Sequence, residues 1–245
     1  MKITGVQAFT RRAARLGLVA TALSLVVAAA DADMGRNMIG QASHNVGITV
    51  VPAPGAVKID GALSDWDWSG RIQSFADYEL RDRFSTETAA MWDQEALYVA
   101  VKWRDATPMM SPVDPVVEPG NGWKADALQL RVATADQTSW VTTWFFAGRG
   151  EPALSLSKWK ERNNAGAGME TRHYVGKGGA ATLGDGIDLA YRKDADGKGY
   201  AQELRIPWSQ LYRRPPPAAP GQSLRIGLEF LWGAMGHEAA GYLRE

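Results

Sequence analysis

The sequence predicts an all-β fold, an antiparallel β-sandwich of two packed sheets, preceded by a signal peptide. Apolar residues fall in short alternating runs separated by Gly, Pro, Asp and Asn, the pattern of half-buried strands joined by tight turns. No stretch sustains the 3.6-residue period of a long helix. The chain has 245 residues, 45% hydrophobic and 22% charged, with no Cys. A packed core, and not a disulfide framework, must therefore hold the fold.

At the N-terminus, Lys2, Arg11, Arg12 and Arg15 precede the apolar run 16–30, and small residues stand at Ala28, Ala30 and Ala32. That order reads as a secretory signal over residues 1–32. Fifteen apolar residues are too few for a bilayer that needs about 20, so no permanent membrane span is expected. The mature chain would be exported, periplasmic or extracellular. Its 23 basic and 26 acidic residues leave it mildly acidic. Residues 33–47 are polar and aperiodic, a linker, and residues 48–245 form one domain.

Within that domain each strand shows two faces. Leu97, Val99, Val101 and Trp103 share one, and Tyr98, Ala100 and Lys102 the other. Leu128, Leu130 and Val132 oppose Gln129 and Arg131, while Trp140, Thr142, Trp144 and Phe146 line one side of the next run. The stretch 194–199 (DADGKG) lies between two apolar runs, and its Asp-Gly pair signals a hairpin. Leu224, Ile226, Leu228, Phe230 and Trp232 close the pattern.

Equal numbers of basic and acidic residues, 27 each, supply no counterion-release drive, so nucleic acid is not an expected partner. No HExxH, GxSxG or P-loop occurs, and His44, His173 and His237 lack ligand spacing. Asp65/Asp67 and Asp194/Asp196 read as turn and cap chemistry, the latter pair with calcium as the alternative. Of the ten Trp, Trp66, Trp68, Trp92, Trp103, Trp208 and Trp232 read as core. Trp123 stands at a loop-to-strand junction, where a ligand platform and a loop anchor are both open readings. No cofactor is called for by the motifs.

Three ordered stretches carry a resemblance: residues 57–66 (VKIDGALSDW), 91–101 (MWDQEALYVAV) and 121–130 (NGWKADALQL), echoed by 203–208 and 224–228. Together they resemble family 9 carbohydrate-binding modules over about 57–232. The resemblance implies a non-catalytic module, accessory to polysaccharide breakdown and to other exported enzyme domains. It would hold an oligosaccharide or polysaccharide by Trp stacking and polar contacts. It assigns Trp123 to the first platform position and Gln129 to a sugar-contacting Glu position, with Asp126 beside them. Trp144 is a further candidate ring that shares its face with Trp140 and Phe146. The second platform Trp has no counterpart before Glu245, which suggests a domain truncated at its C-terminus.

Residues 101–108 (VKWRDATP) also resemble the related haem-binding sandwiches similar to the ethylbenzene dehydrogenase subunit and to DOMON-like domains. That resemblance implies haem b as the alternative cofactor in an electron-transfer subunit. Met109 and Met110 are then the candidate axial ligands.

Overall fold

In the computed structural model, which describes residues 47–75, 78–124, 126–159, 168–215, 217–233 and 243–244, the alternating runs become strands. In chain order they are β1 (Val50–Pro52), β2 (Ile72–Phe75), β3 (Ser85–Trp92), β4 (Ala96–Arg104), β5 (Ala127–Ala133), β6 (Thr138–Phe146) and β7 (Glu151–Trp159). There follow β8 (Glu170–Val175), β9 (Ala180–Gly184), β10 (Ile187–Lys193), β11 (Gly199–Pro207), β12 (Arg225–Trp232) and β13 (Leu243–Arg244). The signal segment 1–32 and linker residues 33–46 lie outside the described residues. Among those described, no helix is long and apolar enough to cross a membrane. Among the described residues, only a one-turn helix, Trp208–Leu211, and two 3-10 turns interrupt the strands.

The first sheet has the order β1-β3-β4-β11-β10-β9, with β2 also on β3, and the second β13-β12-β5-β6-β7-β8. The antiparallel sandwich expected from the alternation is the architecture found. One pairing departs from it: β1 runs parallel to β3 through Val50↔Ala90, while β2 runs antiparallel along the rest of that edge. Two short strands thus share one edge, which blunts it against pairing with other chains.

Alternation places Leu97, Val99, Val101 and Trp103 against Leu128, Leu130, Val132 and Val141 in the inter-sheet core. Trp103 stacks on Tyr200 at 5.3 Å and takes the edges of Phe230 and Trp232 at 5.6 and 5.5 Å. Its indole N–H donates to Gln202 Oε1 at 3.0 Å, so the large ring is buried with its one polar atom satisfied.

A second cluster covers the outer face of the first sheet. Trp66 packs there with Ala89, Met91, Ala96, Tyr98 and Ala100. Buried Glu203, from β11, accepts the backbone N–H groups of Asp60 and Gly61 and the Trp66 indole N–H. Burial pushes the Glu203 carboxyl up, and these three donors pull against that shift. Gly61 has φ +79°, and a Cβ there would meet the Arg192 Cβ at 2.7 Å. The IDG..W motif is therefore a clasp that seals this face.

The Trp-Asp motif has an equally local role. Asp93 accepts N–H bonds from Glu95 and Ala96 and the Tyr98 hydroxyl, which closes the β3–β4 turn. Next to this turn, between the sheets, lies a cavity of about 700 Å³.

Candidate functional site

The outer face of the second sheet is arranged in cross-strand rows. Register pairs Glu229 with Gln129, Gln129 with Thr142, Thr142 with Ser155 and Ser155 with His173. A polar side chain from each of five strands therefore stands in one line. At about 4.8 Å between strands the row runs roughly 19 Å. On one side lies the row Leu231, Ala127, Trp144, Ala153 and Val175; on the other, Gly227, Arg131, Trp140, Ser157 and Thr171.

The apolar row is roofed by residues 105–124. Val113 and half-buried Trp123 pack with Ala127, Trp144, Ala153 and Leu231. Trp123 sits in the 3-10 turn Gly122–Lys124. A Cβ on Gly122 would fall 2.2 Å from the Trp144 ring, so only glycine lets the turn approach this closely. The Trp144 indole N–H donates to Val113 O at 3.0 Å. At the base of the roof, Asp126 accepts Gly233 N at 2.8 Å and Met110 N at 3.4 Å, and Asp105 accepts Thr107 N. Burial pushes both carboxyls up. The neighbouring Asp105 charge drives Asp126 further, well above the usual carboxylate range.

Hydrogen bonding along the polar row leaves defined groups open. Gln129 Nε2 donates to Thr142 Oγ1 at 3.2 Å, which frees the Thr142 hydroxyl proton for another acceptor. Ser155 Oγ donates to Pro119 O at 2.7 Å and lies 2.8 Å from His173 Nδ1. The one Ser155 proton is committed to the carbonyl, so His173 Nδ1 carries the proton donated to Ser155 Oγ, and in the neutral ring Nε2 of exposed His173 is then an acceptor. Arg131 bonds Glu229 at 2.9 Å and lies over the Trp140 ring at 4.4 Å. Trp140 and Trp159 meet edge to face at 6.4 Å, and both buried indole N–H groups have no hydrogen-bond partner among the described residues.

The residues expected from sequence separate here. Gln129 does turn onto this face, in the middle of the polar row, although only 5% exposed. Trp123 borders the face on the roof. Asp126 and Trp144 lie beneath the surface, at 4% and 1% exposure, each held by hydrogen bonds to the roof or its base. Asp126 braces the roof and Trp144 is its floor. Met109 has φ +59° and packs against the inter-sheet core, Met110 is 38% exposed, and neither lines the 700 Å³ cavity. Asp194 and Asp196 lie in the β10–β11 hairpin, with Asp196 paired to Arg104 at 3.0 Å. No group of three or more metal-ligating side chains occurs among the described residues.

Of the expected core rings, Trp103 and Trp232 lie between the sheets, Trp66 lies in the outer cluster of the first sheet, and Trp92 and Trp208 border the cavity. Ser155, Trp159 and His173 are site residues that motif reading misses. The alternation of 153–159 (ALSLSKW) was the available signal.

No protein-family model matches the chain, and no curated protein matches it. Among solved structures it is similar to a family 9 carbohydrate-binding module from Caldicellulosiruptor kristjanssonii in complex with glucose. The identity is 14%, the TM-score 0.41, and the match covers 76% of this chain and 79% of that one.

Proposed function

We propose that this protein is an exported, non-catalytic module that binds a neutral glycan on the outer face of its second sheet. The polar row from Glu229 to His173, set between the Trp123 roof and the Trp140–Trp159 pair, carries the reading. A sugar presents hydroxyls around its rim and C–H groups on its faces, so it needs both donors and acceptors beside an aromatic wall. The row offers the Thr142 hydroxyl as donor and His173 Nε2 as acceptor. Glu229 is neutralised by Arg131 at 2.9 Å, which favours an uncharged ligand. Export follows from the signal read over residues 1–32.

The test is calorimetric titration of the purified chain with a panel of neutral oligosaccharides, repeated with Trp140→Ala. A saturable heat with at least one sugar, weakened about tenfold or more by the variant, equivalent to about 1.4 kcal/mol, supports the reading. A silent panel, or affinity unchanged in a folded Trp140→Ala protein, overturns it.

A further inference from the structure

The cavity of about 700 Å³ lies at the opposite end of the sandwich from the Trp123 roof, where β3 turns into β4 and β12 begins. Its size falls in the range of ordinary small-molecule sites. The floor is aliphatic, from Val50, Leu97, Leu224 and Ile226, and the walls carry Trp92, Trp208 and Tyr212. No charged residue lines it.

The walls are held in place before any ligand arrives. The Trp208 indole N–H donates to Asp93 O at 2.9 Å, and the Trp208 ring meets Tyr212 edge to face at 6.2 Å. The loop opposite is braced by Gln222, which accepts Ala219 N and donates to Pro217 O, and by Gln94, which donates to Ala218 O. Three hydroxyl side chains in the lining, Thr49, Tyr212 and Ser223, have no hydrogen-bond partner among the described residues.

We infer that this cavity is a second binding site, for a neutral, mostly apolar molecule with a flat ring and a hydrogen-bonding group. Rigid aromatic walls favour a flat ring. Burying an ion among sixteen uncharged lining residues would leave its charge unpaired. The free hydroxyls supply the polar anchor.

The test uses two probes that share one ring framework. The neutral N-phenyl-1-naphthylamine should bind the purified chain saturably, with increased probe fluorescence and quenching of Trp. The sulfonated anion 1-anilinonaphthalene-8-sulfonate should bind at least tenfold more weakly. Ala218→Trp, which fills the cavity from the loop, should weaken the neutral probe at least tenfold. Thr49→Val is the milder variant, and its loss of affinity for 1-naphthol beyond that for naphthalene reads the polar anchor. Trp140→Ala should leave probe binding unchanged, so failure here is distinguishable from failure of the glycan reading. Equal affinity for both probes, or saturable binding that survives Ala218→Trp, overturns the inference. So does binding that appears only after residues 1–46 are deleted, which would make the chain's own N-terminal segment the occupant.

Discussion

The two sheets solve the same problem, an outer face with nothing packed on it, in opposite ways. On the first sheet the cross-strand row Ala89, Ala100, Glu203 and Ala190 is small except for the carboxylate. Residues 57–68 can lie flat on it, and the three N–H donors that reach Glu203 satisfy the carboxylate they bury. On the second sheet the roof 105–124 covers one apolar row and reaches the next at Ser155, which donates to Pro119 O. The next row is polar in every strand from Glu229 to His173, and an apolar cover would strand those groups without partners. The face whose buried carboxylate is satisfied internally is sealed; the other is the face proposed to bind glycan.

The contrast can be broken most sharply at Glu203. Replacing it with Ala leaves the buried donors of Gly61 and Trp66, and the part-buried N–H of Asp60, without their acceptor, at about 1–3 kcal/mol for each buried donor. Urea unfolding of Glu203→Ala should show a loss of about 3 kcal/mol or more. A loss below about 1 kcal/mol would mean that the clasp does not seal the first sheet.

Under the roof of the second sheet, Asp105 and Asp126 give an intermediate effect with a pH signature. Both carboxyls are raised above the unfolded value of 3.8, so the folded protein holds protons that the unfolded chain releases. Their contribution to stability is therefore fully present in acid below that value. It declines as pH rises from there through the raised folded-state range. Asp126→Asn cannot ionise and can still accept the Gly233 N–H. Its thermal midpoint should fall less than that of the wild type between about pH 4 and pH 8, a relative gain on the order of 1 kcal/mol at the upper end. Parallel profiles would dismiss the carboxyl pair.

The smallest stability effect belongs to the open row. Thr142→Val keeps the shape of the side chain and removes the hydroxyl, so unfolding should shift by no more than about 1 kcal/mol. Glycan affinity should nevertheless drop several-fold. A variant that loses stability heavily but binds normally would place Thr142 with the sealed face and not the open one.

How much of this was visible beforehand differs by element. Two-residue alternation correctly separates Leu128, Leu130 and Val132 from Gln129 and Arg131, because successive side chains on a strand must point to opposite faces. The same rule groups Trp140, Thr142, Trp144 and Phe146, yet it cannot say whether that group lies between the sheets or outside them. Aromatic content misleads at this point: Trp144 is buried by a roof of residues distant in sequence, while Thr142 on the same face stays half open. The motifs were visible as motifs, but their work is structural. The IDG..W stretch clasps Glu203 and the Trp-Asp pair closes a turn, and neither role follows from spacing alone.

By itself the sequence determined the fold class, the strand faces and the reliance on packing in a chain without Cys. These depend on local period and composition, which act within a few residues. Only the tertiary structure decided which polar residues stand in one row, since Gln129, Thr142, Ser155 and His173 meet through pairing register across four strands. It also decided that the roof buries Asp126 and Trp144 while leaving Thr142 within reach. Burial is a property of what folds over a residue, and the segment that folds over this face is fixed by long-range packing.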